Sequence, residues 1–319
     1  MPGIILLQAL EPRDLFRVLF SLISWCGDGP VSVLLFPLLY WRHSAAVAIR
    51  YGYLWGILAL VLTILKDQTE TLRPFLAAPE QVAFLKYPLE GFYWFPNQAS
   101  LIEAYRQSPS FPSGHALYAA ALGLYLYAHT ASAGWRWVLV FFMVMIPLAR
   151  VYLGVHYPTD VLAGSGLGVF LSMLARHCQW QTFPSRLSLH TWPGWLQRLL
   201  FVGGLVGVCA LVSRAAVFVV LVLLSYAGIL TSAARPIRYF SVQSTAAWQT
   251  WNAVGGCLGA GIILWALAPL LGLGLLVGVP VVAVWATLGC PLLVKCLRPS
   301  LHTTSRHQDT CNTPTGDRG

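Results

Sequence analysis

Charge is scarce in this chain. Asp, Glu, Lys and Arg make up only 10% of its 319 residues, whereas 57% are hydrophobic and the mean hydropathy is +0.67. Soluble domains carry about 25% charged residues, so an ordinary soluble domain is excluded. Acidic residues are rarer still: none falls between Asp160 and Asp309. The C-terminal half therefore lacks the carboxylates that proton relays and cation sites use inside a membrane, which argues against a pump or a cation-coupled carrier. The seven cysteines form no CxxC pair and lie mostly in or beside apolar runs. They read as small buried hydrophobes rather than a metal or redox framework. The first residues have no basic stretch ahead of their short apolar run, so no cleaved signal peptide is read.

What the chain does have is long apolar runs of the length a bilayer crossing needs, about 20 residues each. It reads as all-α, a polytopic transmembrane helical bundle whose helices satisfy their own backbone. Residues 15–25 are apolar but short. The Cys-Gly-Asp-Gly-Pro break at 26–30 follows, and 31–41 are apolar again. Either the first piece lies along the interface and the second is a span running on past Arg42, or both are short spans. The total is nine crossings in the first case and ten in the second. Further spans are expected over 51–65, 116–131, 137–153 and 156–175, with Gly134 and Arg136 in a short turn. The organisation is then a core with N-terminal helices over 1–178, a basic connector over 179–198, four additional C-terminal helices over 199–296 and a polar tail over 297–319, disordered by composition.

The net charge of +9 fits this map better than a nucleic-acid partner. With the first helix left aside, Lys66, Arg73, Lys86, Arg106, Arg150 and Arg214 fall on one side, and the more numerous remaining cations fall on the other. The positive-inside rule places the first group outside the cytoplasm. A bacterial inner membrane is the expected location; an endoplasmic reticulum membrane with the site facing the lumen satisfies the same topology.

Three separated pieces converge on that face. Lys66 and Arg73-Pro74 end one span. Pro112-Ser113-Gly114-His115 opens the next. Arg150, His156 and Asp160 surround the turn joining two more. Lys66, Arg73 and Arg150 can surround a dianionic oxyanion, because Lys supplies a point charge and Arg a planar fork of donors. Ser113 and Gly114 at a helix N-terminus add backbone N–H groups and the positive end of the helix dipole. That is a phosphate cradle requiring no metal or other cofactor. His156 and Asp160 are four apart and would share a helix face. Asp160 can fix the imidazole tautomer, leaving the other ring nitrogen to attack phosphorus. His115 is placed to protonate the leaving oxygen and later to activate water.

The three pieces together resemble the type 2 phosphatidic acid phosphatase superfamily. They stand here as Lys66-DQTETL-Arg73-Pro74, Pro112-Ser113-Gly114-His115 and Arg150-VYLGV-His156-YPT-Asp160. The joint spacing is highly specific, and any one piece alone would be weak. One position departs: Ala149 stands where the pattern has Ser. The resemblance implies His156 as nucleophile, Asp160 as its partner and His115 as acid/base, with Lys66, Arg73, Ser113, Gly114 and Arg150 as phosphate ligands. It also implies an all-α bundle with an extracytoplasmic site. The extra C-terminal spans look like the nine-span glucose 6-phosphatase and sphingosine-phosphate phosphatase branches.

The function expected is therefore a metal-independent membrane phosphatase. It would hydrolyse a phosphate monoester or diphosphate, such as phosphatidic acid or an isoprenyl diphosphate, through a phosphohistidine. Its partner is a membrane lipid or amphiphilic phosphate. Competing readings are a lipid or sugar phosphotransferase on the same site and a non-catalytic membrane scaffold. Taken alone, each cation could be an interface side chain and His156/Asp160 a structural pair. The glycines at 255, 256, 259 and 261 read as close helix packing rather than a nucleotide loop.

Overall fold

A computed structural model of the chain describes residues 1–10, 13–86, 98–177, 246–267, 281, 285 and 289–297. Among these there are helices and no strands. In order they are α1 (Pro2–Gln8), α2 (Arg13–Cys26), α3 (Gly29–Arg42), α4 (Ala45–Asp67), α5 (Pro74–Ala77), α6 (Gln98–Arg106), α7 (Gly114–His129), α8 (Ala133–Tyr152), α9 (Pro158–His177), α10 (Ala246–Leu267) and α11 (Cys290–Leu297). The connector over 179–198, most of the additional C-terminal helices and the tail beyond 297 lie outside the described residues. Among the described residues, α8 and α9 are the two helices long and apolar enough to cross a membrane by the combined test of length and composition.

Two boundaries differ from expectation. The apolar piece after the Gly-Pro break does not run on past Arg42. It stops at His43, and Ser44 caps a new helix by accepting the Val47 N–H at 3.2 Å. A side-chain oxygen at this position satisfies an orphan donor of the next helix, so a Ser favours a fresh start over continuation. Likewise Gly134 and Arg136 are not in a turn, because Ser132 caps α8 two residues before Gly134.

The core of the fold is the contact between α7 and α9. Two glycines one helical turn apart on α9 make it close. A Cβ built at Gly164 would lie 2.4 Å from the Ser113 carbonyl oxygen, and one at Gly168 would lie 2.4 Å from that of Leu117. Small residues at such spacing let helix backbones approach, which is how packing is gained where lipid gives no hydrophobic drive. Leu117, Ala121 and Leu122 of α7 also pack with Tyr51, Leu54, Trp55 and Leu58 of α4. Gly256 of α10 faces Pro37 of α3, where a Cβ would come within 2.9 Å of the ring, in agreement with the close-packing reading of that glycine run.

The N-terminal helices are stitched to the same end of the bundle. Gln8 donates to the carbonyls of Ala83 (2.9 Å) and Tyr152 (2.8 Å) and accepts from the Ala83 N–H (3.1 Å). The turn after α8 uses Gly154 at φ +74°, where a Cβ would strike the Ala83 carbonyl at 2.5 Å. Only glycine suits both the backbone and the space there. This turn sets the distance between Arg150 and His156.

Candidate active site

The loop ahead of α7 is pinned to the loop after α4. Ser110 N–H donates to the Thr71 carbonyl (2.8 Å), Phe111 N–H to Thr71 Oγ1 (2.9 Å), and Thr69 Oγ1 to the Phe111 carbonyl (2.8 Å). The Phe111–Pro112 bond is cis. Ser113 N–H donates to the Asp160 carbonyl at 3.1 Å, joining the second motif piece to the third. That donor is thereby taken, which leaves the Gly114 N–H, in the first turn of α7 where no intrahelical acceptor is available, as the backbone group able to face an anion. The Ser113 side chain does not cap its helix. Its Oγ is buried with no hydrogen-bond partner among the described residues.

His156 and Asp160 meet, but not as neighbours on a helix face. Pro158 opens α9, so His156 stands in the preceding turn and Asp160 in the first helical turn. A proline is favoured at this position and disfavours helix before it. Asp160 Oδ2 reaches back to accept the Tyr157 N–H at 2.9 Å, in the manner of a capping box. The same oxygen lies 3.6 Å from His156 Nδ1, and Ser110 Oγ bridges the gap, 2.5 Å from Asp160 Oδ2 and 3.4 Å from His156 Nδ1. His156 Nε2 faces Arg73 Nη1 at 3.2 Å. Burial, reinforced by Arg73, Arg150 and Lys66, holds the His156 imidazole well below its ordinary pKa, so the ring is neutral.

Arg73 is 3% exposed and anchored by carbonyls: its Nε donates to Tyr105 and Ser108 (both 3.1 Å) and its Nη1 to Val155 (3.0 Å). Lys66 Nζ donates to Ser108 Oγ at 3.4 Å and to the Pro109 carbonyl. Arg150, 1% exposed, donates to Ser24 Oγ (2.7 Å) and Tyr105 Oη (3.0 Å), while its Nε has no hydrogen-bond partner among the described residues. Ala149 beside it is fully buried in the hydrophobic core.

Four residues that motif reasoning did not single out complete the site: Ser110, Tyr105, Lys86 and Asp28. Ser110 links the imidazole to its carboxylate. Tyr105 underlies the cations: the Arg73 guanidinium sits 4.4 Å from its ring centre, and its hydroxyl accepts from Arg150 and from Lys86 (3.2 Å). Burial works to raise the Tyr105 pKa, but Arg150 and Lys86 outweigh it and bring the phenol down to about 8. Asp28, in the break between α2 and α3, forms an ion pair with Lys86 (3.6 Å) and a hydrogen bond with His115 Nε2. Burial raises its pKa, yet Lys86, His115 and Arg150 together hold it at about 2. Four basic side chains and two carboxylates thus meet in one basin. With all of them ionised two positive charges are in excess, the complement of a phosphate dianion. Among the described residues, no three His, Cys, Asp or Glu side chains gather as a metal site.

Residues 47–184 match the PAP2 superfamily, the type 2 phosphatidic acid phosphatase family that the motifs resemble. An undecaprenyl-diphosphatase from Sulfolobus acidocaldarius is 39% identical over 82 residues, 25% of this chain and 39% of that protein. Phosphatidylglycerophosphatase B from Bacillus subtilis is 36% identical over 90 residues, 25% of this chain and 43% of that protein. The chain thus spans less than half the length of these curated relatives. The crystal structure of Aquifex aeolicus LpxE is similar at 24% identity and a TM-score of 0.40, over 54% of this chain and 93% of that one.

Proposed function

We propose that this chain is an integral membrane phosphatase that removes phosphate from an amphiphilic phosphate monoester or diphosphate through a phosphohistidine at His156. The observation that carries the reading is the setting of that ring. One nitrogen is held by Ser110 and Asp160, and the other faces Arg73 beside Arg150, whose Nε lacks a hydrogen-bond partner among the described residues. A substrate phosphoryl group entering the basin would take donors from Arg73, Arg150, Lys66 and the Gly114 N–H, with Ser113 Oγ as a further contact.

The chemistry then runs in two displacements. The Nε2 lone pair of His156 forms a bond to phosphorus as the P–O bond to the leaving group breaks. The departing oxygen takes the electron pair and a proton from His115. Asp160, through Ser110, stabilises the positive ring. Water next attacks phosphorus, His115 takes its proton, the N–P bond breaks with its electrons returning to Nε2, and inorganic phosphate leaves. Three basic side chains supply the charge stabilisation that phosphoryl transfer mainly needs.

An amphiphilic substrate suits a basin at the end of an apolar bundle, where a head group enters while its tail stays in lipid. The names of the undecaprenyl-diphosphatase and phosphatidylglycerophosphatase relatives support a lipid or isoprenyl phosphate. The reading includes a polytopic transmembrane bundle with its site on the extracytoplasmic side of a cell membrane, which the distribution of Lys and Arg supports. The test is phosphate release from phosphatidic acid and farnesyl diphosphate by purified full-length protein, with His156→Ala as the comparison. Release by the wild type and none by a folded His156→Ala is expected; equal release by both removes the mechanism.

A further inference from the structure

The family match begins at residue 47, yet His115 is held by a residue well before it. Asp28 sits at the N-cap position of α3, where an Asp ordinarily accepts an N–H of the first turn. Here it makes no such bond. Its carboxylate is instead turned inward, 6% exposed, with Oδ1 on His115 Nε2 and Oδ2 toward Lys86 Nζ at 3.6 Å. Gly27 permits the approach: a Cβ there would lie 2.7 Å from Ile146 Cγ2 and 3.4 Å from His115 Cδ2. Lys86 in turn bonds the Tyr105 hydroxyl that Arg150 also reaches. A carboxylate that leaves its own helix uncapped to meet a half-buried imidazole gives up local helix stability, and so calls for a role at that imidazole.

We propose that Asp28 is a positioning residue for the acid step: it orients His115 and stabilises its protonated ring, so that the site holds a second imidazole–carboxylate pair whose carboxylate comes from outside the family segment. The inference rests on the phosphatase reading above. His115 gives its proton to the departing oxygen as the P–O bond breaks, and the ring that has lost it is neutral. Asp28 stays ionised throughout and takes no proton. Its contribution is therefore felt only where the leaving oxygen needs a proton.

That dependence supplies the test. An alkyl phosphate has a poor leaving group and needs the acid, whereas p-nitrophenyl phosphate releases p-nitrophenolate, a stable anion, and needs it little. With full-length protein in detergent, Asp28→Asn is expected to lower kcat on dodecyl phosphate by about 30-fold or more, part of the roughly 100- to 10,000-fold that a general acid contributes. On p-nitrophenyl phosphate the loss is expected to be several-fold smaller. Asp28→Glu, which keeps the carboxylate, is expected to recover part of the dodecyl phosphate rate. In a His115→Ala background Asp28→Asn is expected to add little, because it acts through that ring. Equal losses on both substrates, or a full further loss on top of His115→Ala, overturn the inference and leave the phosphatase reading standing. If Asp28→Asn does not fold, the Glu variant decides by the same substrate ratio: a selective loss on the alkyl ester supports the role, and an equal loss overturns it. A wild type that releases no phosphate from either ester overturns both readings.

Discussion

Ser110 Oγ lies 2.5 Å from Asp160 Oδ2, closer than the 3.6 Å between that oxygen and His156 Nδ1. The serine hydroxyl donates to the carboxylate and stands ready to accept the ring N–H at 3.4 Å. The carboxylate thus acts on the imidazole largely through a hydroxyl. Removing it leaves a gap in a buried chain of polar groups, where a hydrogen bond to a charged partner is worth about 1.5–3 kcal/mol. Ser110→Ala is therefore expected to lower kcat by about 10- to 150-fold with little change in KM. Steady-state kinetics on a phosphate ester check this, and an unchanged kcat would show that Asp160 serves the ring directly.

Tyr105 gives the basin a titration of its own. Its phenol is held at about 8 by Arg150 and Lys86 against the effect of burial. Above that pH it becomes a phenolate beside the cations, and the excess positive charge that attracts a phosphate dianion falls. KM for a phosphate ester is expected to rise as the pH passes from 7 to 9, and Tyr105→Phe is expected to flatten that rise. The pH dependence of KM in the two proteins is the measurement; identical profiles would count against the assignment.

Arg150 places one nitrogen on Ser24, one on Tyr105 and leaves Nε without a hydrogen-bond partner among the described residues. A lysine keeps the charge but lacks the planar fork that holds these three directions together. Arg150→Lys is expected to lower kcat/KM by about 10- to 150-fold, the loss of one charge-assisted hydrogen bond, and to weaken inhibition by inorganic phosphate. A lysine variant with wild-type kcat/KM would show that only the charge matters.

Motif spacing made part of this candidate site legible, because the proposed phosphoryl transfer would need particular residue types at fixed offsets. Lys66, Arg73, Arg150, the Ser113–His115 turn and the His156–Asp160 pair could all be read that way. The geometry joining His156 to Asp160 was not, since Pro158 turns a shared helix face into a turn closed by a capping carboxylate. Tyr105, Ser110 and Lys86 stand in the segments between the long helices, where tertiary contacts decide placement and no periodicity marks it. Asp28 was hidden by its own position: a lone Asp between two glycines ahead of a helix reads as a cap. The helix start at Ala45 could have been found, because Ser44 stands ahead of it as a capping residue.

The glycines of α9 offer a test of the scaffold that separates packing from propensity. Gly164 and Gly166 lie in the same helix, yet a Cβ at Gly164 would meet the Ser113 carbonyl at 2.4 Å, while one at Gly166 meets nothing within 4 Å. Alanine at 166 gains the ordinary helix preference over glycine, up to about 1 kcal/mol. Alanine at 164 gains the same but must push α7 away, an overpacking cost of about 1–3 kcal/mol, and the carbonyl it strikes belongs to the residue that opens α7. Gly166→Ala is expected to raise the thermal midpoint in detergent slightly and leave turnover intact. Gly164→Ala is expected to lower the midpoint and to raise KM, because moving Ser113 moves the Gly114 N–H with it. Thermal melts and kinetics on the two variants check the pair, and equal behaviour would mean that the α7–α9 contact does not set the geometry of the site.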